Sequence, residues 1–212
     1  MSNRKREILD VAIKLFNEKG CINTSTRHIA DDLGISVGNL YYYFKNKEEI
    51  IIYIYQTFMD EVSTRITLLK DDDIAFDYYE FLIDQMDFEL NYRFIRLEMN
   101  NIISKYPSVK EAFQKGIQIK LKQMKNLFLH QIKYGYIKEI EDIELEFIIS
   151  NSWIIITQWE IFWIINNIKD EKIRREKGVL NLLYFMKPYL TTKGLEKSNL
   201  LTSIKYLEKG TK

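Results

Sequence analysis

The sequence predicts an all-α protein, and three observations carry that reading. Gly occurs only 8 times and Pro only twice in 212 residues, at Pro107 and Pro188. An all-β chain needs many turns and hence many more such breakers. Apolar residues recur at helical spacing along the chain, and no strand-period alternation, internal repeat or low-complexity linker interrupts them. Apolar residues make up 46% and charged residues 29%, the balance of a soluble globular protein with a real core. The length suits one large domain or a small one followed by a larger one.

The first helix shows its buried face in Ile8, Val11, Ala12, Leu15 and Phe16, at i, i+3, i+4, i+7 and i+8. Lys19-Gly20 ends it, with Gly at the usual C-terminal position. Thr24 or Ser25 can cap a second helix by accepting a backbone N–H. Its stripe is Ile29, Ala30 and Leu33, and Gly34 stops it after about two turns. Ser36 caps a third helix with Val37, Leu40 and Phe44 on one face. Asn46 caps a fourth, with Glu49 in the reciprocal position three residues on. It should run to about Leu69, before a charged break at Asp71, Asp72 and Asp73. Further helices are expected over Phe76–Leu90, Arg93–Ser104 (closed by Pro107), Val109–Tyr134, Glu141–Ile168, Lys172–Leu190 and Leu195–Glu208.

Formal net charge is +1. Up to Ile50, eight Lys/Arg face seven Asp/Glu, so composition does not announce a nucleic-acid binder. Any such function must come from where charge is placed. Cys21 is the only cysteine, which excludes an internal disulfide and a thiolate metal cluster. The basic start, MSNRKREILDVAI, lacks the apolar run of a secretion signal, and the chain reads as cytoplasmic with a buried thiol. The stretch Phe147–Ile165 approaches the length of a membrane span. Glu160 and several other polar residues break it, and a glutamate near mid-span is costly. It reads as a helix buried in a core or an interface, with no membrane involved.

Two short helices joined by a Gly-containing turn, set on an amphipathic first helix, form a helix-turn-helix layout. The second of the pair enters the DNA major groove. Here that helix is Val37–Phe44, and Gly38, Asn39, Tyr41, Tyr42 and Lys45 are left facing outward. None is acidic although the chain has 30 Asp and Glu, as a surface meeting a polyanion requires. Three consecutive tyrosines, Tyr41, Tyr42 and Tyr43, cannot share one helix face, because neighbours point about 100° apart. Lys47 falls in the first turn of the fourth helix, where the macrodipole disfavours a cation. It reads either as solvated or as a phosphate contact acting with the free N–H groups of that helix start.

The first fifty residues resemble the DNA-binding domain of TetR-family (tetracycline-repressor-like) regulators. Phe16, Gly20, Thr24, Arg27, Ile29, Ala30, Gly34, Ile35, Ser36, Gly38, Leu40, Tyr41, Phe44 and Lys47 carry the likeness, most specifically through LYYYFKNKEE. The resemblance implies a three-helix head over residues 1–49. The fourth helix would join it to a larger helical ligand-binding and dimerisation domain over 50–212. Members usually repress transcription as homodimers and leave DNA when a small molecule binds. Carried over position by position, Thr26 and Arg27 become a phosphate contact and a base-directed side chain. Val37, Gly38, Asn39 and Tyr42 become base-facing, and Tyr41, Tyr43 and Lys47 become phosphate contacts. Asn39 can pair bidentately with an adenine edge. The position of Tyr43 is commonly histidine in the family, though a tyrosine can still donate its O–H to phosphate. His28 reads as solvated or phosphate-facing.

Beyond about residue 70 the resemblance covers architecture only. Tyr78, Phe81, Met86 and Phe94, with Phe88, lie in helices that usually surround the effector. Trp153 sits with Trp159 and Trp163 on the long apolar helix. These aromatics either wall a pocket for a bulky apolar ligand or simply fill a helical core. His130 reads as a structural or pocket residue rather than a metal ligand. Asn151 and Gln158, seven apart, share a helix face and line either the cavity or a subunit seam. The resemblance places the homodimer interface on the helices near 141–168 and 172–190, and twofold symmetry implies a palindromic operator in double-stranded DNA. No cofactor or metal is implied. No G-x-S-x-G, phosphate-binding Gly loop, H-E-x-x-H or Cys–His pairing is present, so an enzyme is the weakest reading. A ligand-responsive repressor is the leading reading, and a DNA-binding family member with a structural or activating role and no inducer is the other.

Overall fold

The computed structural model describes residues 3–67, 78–197, 201–202 and 204–205. Its regular elements are helical: α1 Asn3–Lys19, α2 Thr26–Asp32, α3 Val37–Tyr43, α4 Lys47–Thr67, α5 Tyr78–Leu90, α6 Arg93–Leu97, α7 Met99–Lys105, α8 Pro107–Lys133, α9 Asp142–Ile165, α10 Glu171–Met186 and α11 Thr192–Lys197. A 3-10 turn, Lys187–Tyr189, follows α10, and one isolated antiparallel bridge joins Ile137 to Leu190. The end expected near Leu69, the Asp71–Asp73 break, the start expected at Phe76 and half of the expected closing helix lie outside the described residues.

Several expected boundaries differ: the helix expected to reach Leu190 ends at Met186, α11 starts at Thr192 rather than Leu195, and two further differences lie between Arg93 and Pro107. The single helix expected over Arg93–Ser104 is two, broken at Glu98, whose backbone (φ −115, ψ 8) is not helical. Pro107 starts α8 rather than closing its predecessor; it has no N–H to lose at a first helical position.

The chain divides into two compact units, Met1–Glu61 with Glu89–Gln118, and Val62–Phe88 with Ile119–Lys212. This partition is not the 1–49 and 50–212 division of the sequence reading. The reason lies in the first unit's core, where Ile8, Phe16 and Leu40 share one apolar cluster with Ile50, Ile54, Phe94, Ile102 and Phe113. Tyr55 stacks on Phe113 with ring centroids 4.0 Å apart and donates its hydroxyl to the Phe113 carbonyl at 3.2 Å.

In the second unit α9 and α10 form the main packed pair. Arg174 donates to the carbonyls of Ile168 (2.9 Å) and Lys169 (2.6 Å), closing the turn between them. Gly178 lets α10 approach Trp159, since a Cβ there would lie 2.9 Å from the indole. Trp159 is 2% exposed and has no room to yield. Gly178→Ala should therefore destabilise by about 1–3 kcal/mol despite alanine's better helix propensity, read as a lower denaturation midpoint.

Among the described residues α9 alone is long and apolar enough to cross a membrane, and the reason is that both of its faces are apolar. Leu145, Ile148, Ile149, Ser152, Trp159 and Glu160 are buried. On the opposite face Phe147, Ile154, Ile161 and Ile165 are exposed.

Candidate nucleic-acid interface

The turn after α1 begins at Gly20, whose φ of +85° is the left-handed conformation that glycine tolerates. Thr24 is buried and donates its hydroxyl to the Gly20 carbonyl at 2.8 Å, so it closes α1. Ser25 is the cap of α2, accepting from the His28 N–H at 3.2 Å. His28 completes a capping box by accepting from the Ser25 N–H through Nδ1 at 3.2 Å, where Glu or Gln is usual. That bond leaves Nε2 as the donor of the neutral ring, on an exposed residue. Gly34 ends α2 in a Schellman motif, with Ile35 N–H on the Ala30 carbonyl (3.0 Å) and Gly34 N–H on that of Asp31 (3.1 Å). Ser36 then caps α3 by accepting from the Asn39 N–H at 3.1 Å.

Leu40 and Phe44, 0% and 1% exposed, fix α3 to the core. Tyr42 lies about 180° from their midpoint at about 100° per residue, and it is 85% exposed. Tyr41 (47% exposed) and half-buried Tyr43 flank it. The Tyr43 ring meets Tyr42 edge-on at 5.2 Å. The Tyr41 hydroxyl pairs with that of Thr26 at 3.1 Å, tying α3 to the start of α2. Gly38, Asn39 and Arg27 are exposed, and Val37 is half-buried. The two carboxylates of α2, Asp31 and Asp32, lie at its C-terminal end, and Asp32 has Lys14 3.6 Å away. One surface thus presents Arg27, Asn39, Tyr41 and Tyr42, with no acid on α3 itself.

Lys47 points elsewhere. Its ammonium donates to the Cys21 carbonyl and reaches that of Ile22 at 3.5 Å, with the Phe16 and Tyr106 rings each 5.6 Å away. Burial holds its pKa below the ordinary lysine value, offset in part by Cys21 and Glu98. In this conformation the carbonyls of the turn take the ammonium of this half-buried lysine. From the other side Glu98 accepts from the N–H groups of Cys21 (2.6 Å) and Ile22 (3.1 Å). The Cys21 thiol is fully buried. Desolvation pushes its pKa up to about 12, so it packs as a neutral, unreactive group. The start of α4 is capped as expected: Asn46 Oδ1 accepts from Glu49 N–H at 2.8 Å. The Glu49 carboxylate returns to the Lys45 N–H at 2.6 Å rather than to that of Asn46.

The residues named for an effector separate. Phe94 fills the first unit's core, 1% exposed and edge-on to Phe16 at 5.1 Å, so it is a packing residue there. Asn151 and Gln158 are exposed on the outward apolar face of α9, within about 40° of a line through Phe147, Ile154, Ile161 and Ile165. Of the two positions offered for them, the outward face is the one a seam would use, not an interior cavity. In the second unit Met86 is buried, and Phe81, His130 and Trp153 are half-buried. The His130 ring lies 4.5 Å from Tyr134. Tyr78 opens α5, and its side chain lies outside the description. Among the described residues no group of His, Cys, Asp or Glu is placed to hold a metal ion.

Sequence reasoning missed Glu98 and Asn17. Asn17 donates to the Asn91 carbonyl at 2.8 Å and accepts from the Phe94 N–H at 3.1 Å. No local signal marks either, since their partners lie more than 70 residues away.

This geometry defines a helix-turn-helix DNA-binding protein. Two family models match the chain: bacterial regulatory proteins of the tetR family over residues 8–54, and the TetR bacterial transcriptional repressor domain over residues 57–197. The chain belongs to the TetR family of transcriptional regulators, and as such it is a regulator rather than an enzyme. An HTH-type transcriptional regulator of Staphylococcus aureus is 37% identical over 91 residues, 43% of this chain and 48% of that protein. The chain thus matches about half the length of such curated relatives. A TetR-family regulator from Marinobacter aquaeolei has the same fold, with a TM-score of 0.81 and 26% identity over 98% of this chain and 99% of that one. The structure of SmeT in complex with triclosan shares the fold at a TM-score of 0.69 and 17% identity, covering 90% of this chain and 93% of that one.

Proposed function

We propose that the protein is a homodimeric repressor that reads a palindromic operator through paired α3 helices and releases it when a small, largely apolar ligand binds. The observation that carries the DNA half is the outer face of α3, free of carboxylate and led by Tyr42 at 85% exposure. In this reading Tyr42, Asn39, Gly38 and Val37 meet base edges in the major groove, and Arg27 is directed at a base from α2. Thr26, Tyr41 and Tyr43 hold phosphates. Lys47 serves the phosphate through the amino-terminal end of α4 and the turn it braces, with its ammonium turned inward as found. Such a protein acts in the cytoplasm, where its DNA is.

The dimer half rests on the outward stripe of α9. An exposed apolar row this long is what a second copy covers, and Asn151 and Gln158 sit within it as polar points that set register. For the effector, Phe81, Met86, His130 and Trp153, with Tyr78, are the side chains to test in the second unit. SmeT, of the same fold, was solved with a small molecule, triclosan. A compound that raises the melting temperature and weakens operator binding identifies the ligand, and Trp153→Ala should abolish that response. If no compound does both, the inducer-free reading stands instead.

The base-reading role is tested at Asn39. Asn39→Ala should change preference at one operator position by about 1–3 kcal/mol, measured against single-base operator variants. Equal loss at every position counts against it.

A further inference from the structure

The turn Cys21–Ile22 is held from two sides by opposite charges. The Glu98 carboxylate takes both of its N–H groups, at 2.6 and 3.1 Å, and the Lys47 ammonium takes its carbonyls. Glu98 can do this because it sits at the non-helical junction of α6 and α7. There its own N–H still bonds the Phe94 carbonyl (3.0 Å) and its carbonyl accepts from Ile102 (2.9 Å). The approach is close: a Cβ on Gly20 would lie 3.1 Å from Glu98 Oε1. Asn17 adds a second tie to the same α6 segment, and the Phe16–Phe94 ring pair adds a third.

These ties hold the last turn of α1, at Phe16 and Asn17, and the joint between α1 and α2, at Cys21 and Ile22. Through the Thr26–Tyr41 hydroxyl pair, the orientation of α2 also sets that of α3. Glu98 nevertheless lies in the stretch matched by the repressor-domain model, residues 57–197.

We propose that Glu98 is a positioning residue for operator binding: its carboxylate locks the Cys21–Ile22 turn and thereby sets α2 and α3 at the separation the DNA requires. The inference rests on the DNA-binding reading above and extends it to a residue that touches no DNA.

The sign of the effect separates this from a bystander. Removing a carboxylate from a DNA-binding protein, by electrostatics alone, leaves affinity unchanged or raises it. A positioning role predicts the opposite. Operator affinity of full-length wild type, Glu98→Ala and Glu98→Gln is measured below each protein's thermal transition, alongside amide exchange. Glu98→Ala should lose about tenfold or more in affinity, and Glu98→Gln, which keeps size and one acceptor, should lose less. Cys21 and Ile22 N–H groups should exchange faster in both, while Leu40 and Phe44 remain protected. If Glu98→Ala does not fold, Glu98→Gln carries the test with the same sign. Unchanged or tighter binding by a folded variant overturns the proposal. Wild type that binds no DNA sequence overturns the DNA-binding reading itself, and the proposal with it.

Discussion

Phe44→Ala is expected to cost about 3–5 kcal/mol of stability, the largest single effect from any side chain of α3 and its C-terminal cap. Phe44 is 1% exposed, packs edge-on to Tyr53 at 5.9 Å, and has the Lys5 ammonium 4.9 Å from its ring. It also terminates α3: its extended backbone (φ −141, ψ 122) stops the helix after Tyr43. Truncation would open a cavity under the reading helix and release its C-terminal anchor together. Against a typical total of about 5–15 kcal/mol, much of the margin would go. Chemical denaturation should show the lower midpoint, and operator binding should fall further than the folded fraction does, because α3 loses its seat. A loss under about 1 kcal/mol would mean that the site collapses to fill the cavity, and that Leu40 alone holds α3.

The second large effect belongs to the outward face of α9. Ile154 is 55% exposed and lies mid-stripe between Phe147 and Ile161. Ile154→Glu leaves the isolated subunit nearly untouched, since the side chain already faces solvent. In a symmetric dimer it places two carboxylates in an apolar seam, unpaired and of like sign. The variant is expected to sediment as a monomer with unchanged far-ultraviolet circular dichroism. Operator affinity should then fall by about 10²–10⁴-fold, as two linked half-site contacts become one. A variant that remains dimeric would move the interface away from this stripe.

What was legible in the sequence was local. The apolar stripe of α1, the Ser36 and Asn46 caps, a cap at Thr24 or Ser25 and the stops at Gly20 and Gly34 are short-range chemistry, and the head follows from them. Tyr41, Tyr42 and Tyr43 were separable from helix geometry alone once Leu40 and Phe44 were recognised as core. The rest depended on distant partners. Lys47 could be placed in the first turn of α4, but not turned toward Cys21 and Ile22, because that direction is set by the shape of a turn 25 residues earlier. The break at Glu98 carries no Gly or Pro, so the helical pattern runs through it. Asn151 and Gln158 were recognisable as sharing a face, but periodicity cannot say which face when both are apolar. Phe94 looked like a pocket aromatic by its position in the chain, and only its pairing with Phe16 shows it to be head core.

The central claim is that α3 presents a sequence-reading surface to duplex DNA. Its most direct test is selection of wild-type protein against random duplexes, followed by titration of the winner and of an unrelated duplex at rising salt. The account predicts a palindromic winner with half-sites about one helical turn, or a multiple of it, apart, and affinity for it that falls linearly in log–log form as salt rises. No enriched sequence, together with affinity that does not change between low and physiological salt, would contradict it.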